Sequence, residues 1–135
     1  MALEHWRRVK PLADPAAVEQ LERRYQVRLS HGLRACILAN NGGRPVPDGV
    51  RLAGGRATDV RLLLSYNPED RENIYRPMEY FVEKYHGSLI PFAVDSGGNY
   101  FCQQGERIVL WRQDGEFCPV SENFEEFLDR LCIPK

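Results

Sequence analysis

Residues 89–102 read LIPFAVDSGGNYFC, in which two apolar runs flank a polar, glycine-rich turn. The first run, 89–94, predicts a buried strand, and Pro91 favours its start or a sheet edge because proline has no amide hydrogen for the ladder. The turn at 95–99 is tight enough to bring the second run, Tyr100–Cys102, back beside the first. A further strand is predicted from Arg107 to Arg112, with a turn at 113–115. Short turns between successive strands favour antiparallel pairing, so this region predicts an antiparallel sheet.

Two amphipathic helices are predicted before the sheet. The first is signalled by Asp14-Pro15, a capping side chain followed by proline at the first helical position. The second starts near Ser30 and stops at 40–43, where glycine can adopt the left-handed conformation that closes a helix. Apolar residues repeat at helical spacing, with Val18, Leu21 and Tyr25 in the first helix and Leu29, Leu33 and Ile37 in the second.

The middle of the chain gives mixed signals. Residues 44–58 are rich in Gly, Pro and Arg and predict a loop, whereas residues 60–66 alternate with a period of two and predict a strand. Asn67-Pro68 repeats the cap-then-proline signal and predicts the start of a third helical region, which Pro77 should break or kink. Beyond the proline, a helical stripe ends at Gly87 and comprises Met78, Phe81, Val82 and Tyr85.

A last helix is predicted from a cap at Ser121. Its apolar face is the clearest in the chain and comprises Phe124, Phe127, Leu128, Leu131 and Cys132. The order of elements predicts an α+β fold: a single domain over 1–135, with an N-terminal helix pair, a mainly antiparallel sheet and a C-terminal helix packed against it.

Composition limits the classes of partner and the location. No apolar run approaches the roughly 20 residues that a membrane helix needs, and no secretory signal is visible, so we expect a cytoplasmic protein that does not bind membranes. The net charge is −1, and no basic stripe with interleaved aromatic residues predicts direct nucleic-acid binding. The charge is uneven, however. Residues 1–65 carry 11 Lys/Arg and 6 Asp/Glu, a net of +5, and residues 66–135 carry 7 and 13, a net of −6. An acidic half of this kind could face a basic partner.

Residues able to do chemistry are present but are not arranged for it. The four cysteines form no CxxC pair or zinc spacing, so we expect free and mostly buried thiols. The three histidines lie in different segments, and the glycine pairs match no phosphate-binding loop. Asp95, Asn99 and Glu106 take positions 1, 5 and 12 of a calcium loop, but Tyr100 stands where that loop needs glycine. We therefore predict neither catalysis nor a metal or other cofactor.

Four segments in order resemble the SUKH superfamily, which includes yeast cell-wall-assembly regulators and many bacterial immunity proteins. The resemblance covers about residues 15–132, the core of the predicted domain. It rests on Val18-x-x-Leu21-Glu22 with Leu29 and residues 37–43, on Ile90–Cys102, on Ile108–Trp111, and on Val120-Ser121-x-x-Phe124-x-x-Phe127-Leu128. The family often has Leu-Pro at the start of its second helix, where this chain has Ser30-His31-Gly32 after Leu29.

The resemblance implies an α+β domain that binds a partner protein. Bacterial members act as antidotes that bind a co-encoded toxin, often a nuclease, so we expect an immunity protein whose acidic half suits a basic toxin. The alternatives are a regulatory or scaffolding module that acts on a host partner, and a small enzyme or ligand-binding domain. Candidate partner contacts at strand ends and turns are Tyr66, Glu69, Asp95, Asn99 and Trp111. Each also has a structural interpretation, such as satisfying turn backbone groups at Asp95 and Asn99 or core packing at Trp111.

Overall fold

A computed structural model describes residues 3–134, in which four α-helices and nine β-strands occur. The helices are α1 (Ala17–Tyr25), α2 (His31–Asn40), α3 (Tyr75–Tyr85) and α4 (Phe124–Asp129). The strands are β1 (His5–Arg7), β2 (Arg44–Val46), β3 (Gly49–Arg51), β4 (Ala57–Asp59), β5 (Leu62–Leu63), β6 (Ile90–Val94), β7 (Tyr100–Gln104), β8 (Arg107–Trp111) and β9 (Phe117–Ser121). Met1, Ala2 and Lys135, at the ends of the domain predicted over 1–135, lie outside the described residues. No helix within 3–134 combines the length and apolar character needed to cross a membrane.

The main sheet has five antiparallel strands in the order β5-β6-β7-β8-β9. The predicted hairpin is confirmed, with Val94 opposite Tyr100, and β8 follows with Trp111 opposite Tyr100. The α+β class, the N-terminal helix pair and the C-terminal helix are also confirmed. Two small antiparallel ribbons, β1-β2 and β3-β4, accompany the sheet.

Apolar side chains pack on both faces of this sheet, because successive residues of a strand point to opposite sides. Phe101, Ile108 and Leu110 belong to the main core with residues of α1, α2 and α4. Cys102, Val109 and Trp111 alternate with them and form a second, smaller cluster with Phe81 of α3 and Leu89.

The loop between α1 and α2 is fixed to the sheet by one buried amide. Gln103 is 5% exposed, and its side chain accepts a hydrogen bond from the Ser30 amide (2.7 Å) and donates one to the Arg28 carbonyl (3.0 Å). Ser30 itself caps α2 as predicted, since its hydroxyl accepts from the Leu33 amide. The position of the helix pair therefore depends on β7.

Four predictions about the middle of the chain were wrong. Residues 44–58 are not simply a loop but contain β2, β3 and β4, and the strand expected over 60–66 is reduced to Leu62–Leu63. Asn67 opens no helix, because its side chain bonds to the Ala13 amide and the Pro11 carbonyl instead. Pro77 neither breaks nor kinks α3. It lies in the first turn of that helix, where an amide hydrogen has no intrahelical partner to lose.

The last helix also begins later than predicted. Ser121 ends β9, a strand that the sequence interpretation missed, and the cap is Asn123, whose side chain accepts from the Glu126 amide at 2.8 Å. Because α4 ends at Asp129, Leu131 and Cys132 follow the helix instead of extending its face.

Candidate functional site

Three of the five predicted contact residues, Asp95, Asn99 and Trp111, lie at the same end of the sheet. The Asn99 side chain accepts a hydrogen bond from the Gln113 amide (3.1 Å), two residues after Trp111. Tyr66 is 0% exposed, and Glu69 is exposed in the segment between β5 and α3. Within residues 3–134, no side-chain hydrogen bond or ion pair joins Tyr66 or Glu69 to the other three.

Asp95 and Asn99 organise the turn between β6 and β7. The Asp95 carboxylate is 2% exposed and accepts hydrogen bonds from the Thr58 hydroxyl (2.7 Å) and from the Gly97 and Asn99 amides (3.0 and 2.7 Å). The Asn99 side chain donates to the same carboxylate at 3.1 Å. These donors occupy the carboxylate oxygens from several sides, so both residues have a defined structural role. Their contact with a partner remains a prediction.

The calcium interpretation finds no support in this geometry. Glu106 lies in the turn between β7 and β8, which is separated from Asp95 by the whole length of β7, roughly 16 Å at 3.3 Å per residue. Among the described residues, no group of three or more His, Cys, Asp or Glu side chains is placed to hold a metal ion.

Trp111 belongs to a cluster of rings that reaches the surface, here named the aromatic patch: Tyr80 and Tyr85 of α3, Trp111 of β8 and Phe117 of β9. Tyr80 and Phe117 are each 44% exposed, whereas Trp111 is 8% exposed. The Tyr80 and Trp111 ring centroids are 5.8 Å apart, and those of Tyr85 and Phe117 are 5.7 Å apart, both with the edge-to-face geometry that aromatic pairs prefer. The patch therefore presents apolar ring surface to solvent in a fixed arrangement.

Buried groups hold the patch in place. The ring of Phe81 is 0% exposed and lies 5.5, 5.6 and 5.2 Å from the rings of Tyr80, Tyr85 and Trp111. The Trp111 indole nitrogen donates to the Tyr85 hydroxyl at 3.0 Å, so the polar atoms of both rings are satisfied within the patch. A contact surface supported in this way has little side-chain entropy left to lose on binding.

Charged side chains of both signs lie near the patch. Glu83 of α3, and Asp114 and Glu116 of the β8–β9 turn, are exposed and form no ion pair among the described residues. Lys84 lies 5.7 Å above the rings of both Tyr80 and Tyr85, and its ammonium donates to the Tyr80 hydroxyl at 3.2 Å, which raises the pKa of Lys84. Lys84 is thus a cation at any physiological pH, and two arginines, Arg76 four residues before Tyr80 and Arg112 next to Trp111, also form no ion pair among the described residues.

The patch is exposed because α3 packs against β6 and leaves β9, the strand beyond β8, partly uncovered. The outer edge of β9 is itself a poor template for another strand. Pro119 has no amide to donate, and the Val120 carbonyl already accepts from the Arg130 guanidinium at 2.7 Å. A partner is therefore expected to meet the face of these strands and not their edge.

Sequence reasoning found Trp111 but missed the residues that expose the patch. Tyr80 lies off the apolar stripe of α3, between Glu79 and Glu83, and an aromatic residue on the polar face of a helix was the available signal. Phe117 lies in a strand that was not predicted, and in the structure exposed Phe117 and Pro119 alternate there with buried Cys118 and Val120.

The buried thiols are poorly suited to act as nucleophiles. Burial raises the pKa of Cys36 to about 11 and raises the pKa of Cys102 further still. Both thiols are therefore protonated at neutral pH, and the thiolate is the reactive form.

Comparison with known proteins identifies the family. The model of the SMI1 / KNR4 family (SUKH-1) matches residues 12–130, which include all four helices and the whole five-stranded sheet. Searches of the curated proteins and of the solved structures found no significant match. Since the family match extends over most of the chain, the protein belongs to the SMI1 / KNR4 family (SUKH-1).

Proposed function

We propose that this protein is an immunity protein that neutralises a cognate protein toxin by binding it through the aromatic patch. The observation that carries the proposal is the pair of rings, Tyr80 and Phe117, each 44% exposed on a support of buried aromatic residues. Exposed aromatic side chains on a rigid base are the residues that most often dominate binding energy in protein interfaces. Membership of the SMI1 / KNR4 family is consistent with this type of function.

The exposed carboxylates favour a basic toxin, such as a nuclease whose surface carries positive charge for its own substrate. Glu83, Asp114 and Glu116 would attract such a surface and accelerate association, most strongly at low salt. Inhibition of this kind requires shape and charge but no reactive group, so the protein is proposed to act without catalysis.

The experiment is co-expression with the toxin-like product of the neighbouring gene, followed by measurement of growth and of the dissociation constant. We expect Tyr80→Ala and Phe117→Ala each to weaken binding by about 2 kcal/mol, roughly thirtyfold, because each removes a partly exposed ring at the centre of the interface. Leu38→Ala is the matched control: Leu38 is 50% exposed on α2, and its truncation should change affinity less than about twofold.

Three outcomes separate the possibilities. Growth rescue that is lost with the patch variants and kept with Leu38→Ala supports the proposal. Rescue that is unchanged in both patch variants places the binding site elsewhere on the protein. Failure of rescue and of co-purification with a suitable toxin favours the regulatory or scaffolding alternative, in which the same domain acts on a host protein.

A further inference from the structure

A second surface contains several arginines. It lies beyond the edge strand β5, whereas the aromatic patch is near β8 and β9 at the other end of the strand order. A groove of about 610 Å³ lies between the β1-β2 ribbon, the crossing from β4 to β5 and the C-terminal segment. Four arginines line it, namely Arg7, Arg8, Arg44 and Arg61. This surface, here named the arginine groove, shares no lining residue with the aromatic patch.

Three of these arginines have no ion-pair partner among residues 3–134. Arg61 is held by both oxygens of the Glu72 carboxylate, so its charge is balanced. Within residues 3–134, the side chains of Arg7, Arg8 and Arg44 form neither an ion pair nor a hydrogen bond, and all three are exposed. The two aspartates that line the groove do not neutralise them, and Asp59 is already bonded to the Ser96 amide at 2.8 Å.

This arrangement lowers the stability of the free protein in two ways. Arg7 lies directly opposite Arg44 in the antiparallel ribbon, and like charges at opposed positions repel each other. Arg8 has a φ of 54°, in the left-handed region where a side chain with a β-carbon is unfavourable. Backbone strain and uncompensated charge at one surface are typical of a binding site.

We propose that the arginine groove binds an acidic peptide segment of a partner protein. Carboxylates would supply the missing counter-charge, since arginine binds them through paired, charge-assisted hydrogen bonds. The inference goes beyond the proposed function, because it concerns a separate surface and does not depend on the identity of the toxin.

The rest of the groove fits a peptide better than a nucleic acid. Pro45, Val46, Pro47, Ile133 and Pro134 provide apolar surface beside the arginines, and Ile133 is 74% exposed. Apolar side chains of a peptide can cover this surface, whereas the aromatic rings on which single-stranded nucleic acids stack their bases are lacking among the described residues that line the groove.

The ribbon that carries the arginines is anchored to the domain. Trp6, between His5 and Arg7, is half-buried against the main core and lies opposite Pro45 in the ribbon. The Lys10 amide donates to the Asn41 carbonyl at 2.7 Å, which fixes the chain just after Arg8. The groove is therefore expected to be formed before a ligand arrives.

The test is fluorescence anisotropy with a labelled peptide of about ten residues that alternates glutamate and leucine. We expect R7Q/R44Q to weaken its binding by about tenfold, which corresponds to about 1.4 kcal/mol. The matched control, R28Q/R76Q, removes the same charge from exposed arginines that lie outside the groove, and it should change affinity less than twofold. Arg8→Gly should also weaken binding while raising the melting temperature, because glycine accepts the positive φ without strain.

Each outcome either supports or overturns peptide binding by the arginine groove. Selective weakening by R7Q/R44Q and R8G, with Y80A unchanged, supports the arginine groove independently of the aromatic patch. Equal weakening by R28Q/R76Q, or no binding of the peptide by the wild-type protein, overturns the proposal. Tighter binding of a single-stranded oligonucleotide of equal charge, with the same dependence on Arg7 and Arg44, overturns it in favour of nucleic acid.

Discussion

Replacement of Asn41 by alanine should destabilise this protein far more than replacement of its neighbour Asn40. Asn41 is 1% exposed, and its side-chain amide donates to the Lys10 carbonyl (2.9 Å) and the Ser65 hydroxyl (3.0 Å). The side-chain oxygen of Asn41 accepts a hydrogen bond from the Tyr66 backbone amide at 2.8 Å. One side chain therefore connects the end of α2, the segment after β1 and the segment after β5.

The expected loss follows from these three bonds. A hydrogen bond within a protein contributes about 1 kcal/mol net, and a buried donor left without a partner costs about 1–3 kcal/mol. Alanine removes all three hydrogen bonds and leaves the buried Tyr66 amide without the acceptor that Asn41 provides, so the free energy of unfolding should fall by about 3–4 kcal/mol. At roughly 4 °C per kcal/mol for a domain of this size, the melting temperature should fall by about 12–16 °C.

Urea unfolding followed by circular dichroism would measure both variants. The Asn40 side chain has only a weak contact with the Cys36 sulfur, at 3.9 Å, and alanine is a good helix former, so Asn40→Ala should change the free energy of unfolding by less than about 0.5 kcal/mol. The reasoning is refuted if the two variants unfold within 0.5 kcal/mol of each other, roughly the uncertainty of such a measurement.

Three further predictions concern buried polar groups and thiols. Gln103→Leu removes both hydrogen bonds to the α1–α2 loop and should lower the free energy of unfolding by about 2–3 kcal/mol in urea titrations. The control Gln104→Leu, at the exposed neighbouring position, should have little effect, and equal losses in the two variants would contradict the role of Gln103. The Ser65 hydroxyl, with the Asn67 side-chain amide and Lys10, holds the pKa of Asp70 below its ordinary value. The stabilisation that this carboxylate provides is therefore present near neutral pH and is lost as the pH falls below about 4. The difference in unfolding free energy between wild type and Asp70→Asn should shrink from pH 7 to pH 3, and a constant difference would contradict this role of Asp70. Iodoacetamide at pH 8 should label the half-buried Cys132 well before Cys36, whose pKa of about 11 and burial both protect it; mass spectrometry that shows equal labelling of the folded protein would exclude this.

Where local signals and tertiary packing agree, the sequence predicts the fold. The hairpin over 89–102 is recognisable because a strand that is buried on both faces reads as a continuous apolar run, and all five residues of β6 are indeed buried. Ser30 caps α2 as expected because an N-cap bond is formed within one turn of the helix.

One group of errors occurs where a residue has a distant partner. Asn67-Pro68 resembles a helix start, but the Asn67 side chain bonds to residues 54 and 56 positions away, at Ala13 and Pro11. Such bonds compete with local capping and leave no periodic trace in the sequence. Strand β2 was missed for a similar reason, since it pairs with β1, almost forty residues earlier in the chain.

The candidate site was less predictable than the fold. Trp111 could be singled out by its type and its place at a strand end, but the exposure of Tyr80 and Phe117 depends on how far α3 extends across the sheet. That distance is set by packing against β6 and not by any property of the two residues themselves. The net charge of +5 over residues 1–65 was visible in the sequence, but the arginine groove itself was not, because its geometry arises from the β1-β2 ribbon.

The separation of the apolar side chains into two clusters has an evolutionary consequence. The rings that meet solvent rest on the smaller cluster, around Phe81 and Cys102, while most of the buried side chains lie across the sheet with α1, α2 and α4. Substitution of Tyr80 or Phe117 would change the exposed rings without repacking the larger layer around α1, α2 and α4. The proposed contact surface and the main core can therefore change at different rates during evolution.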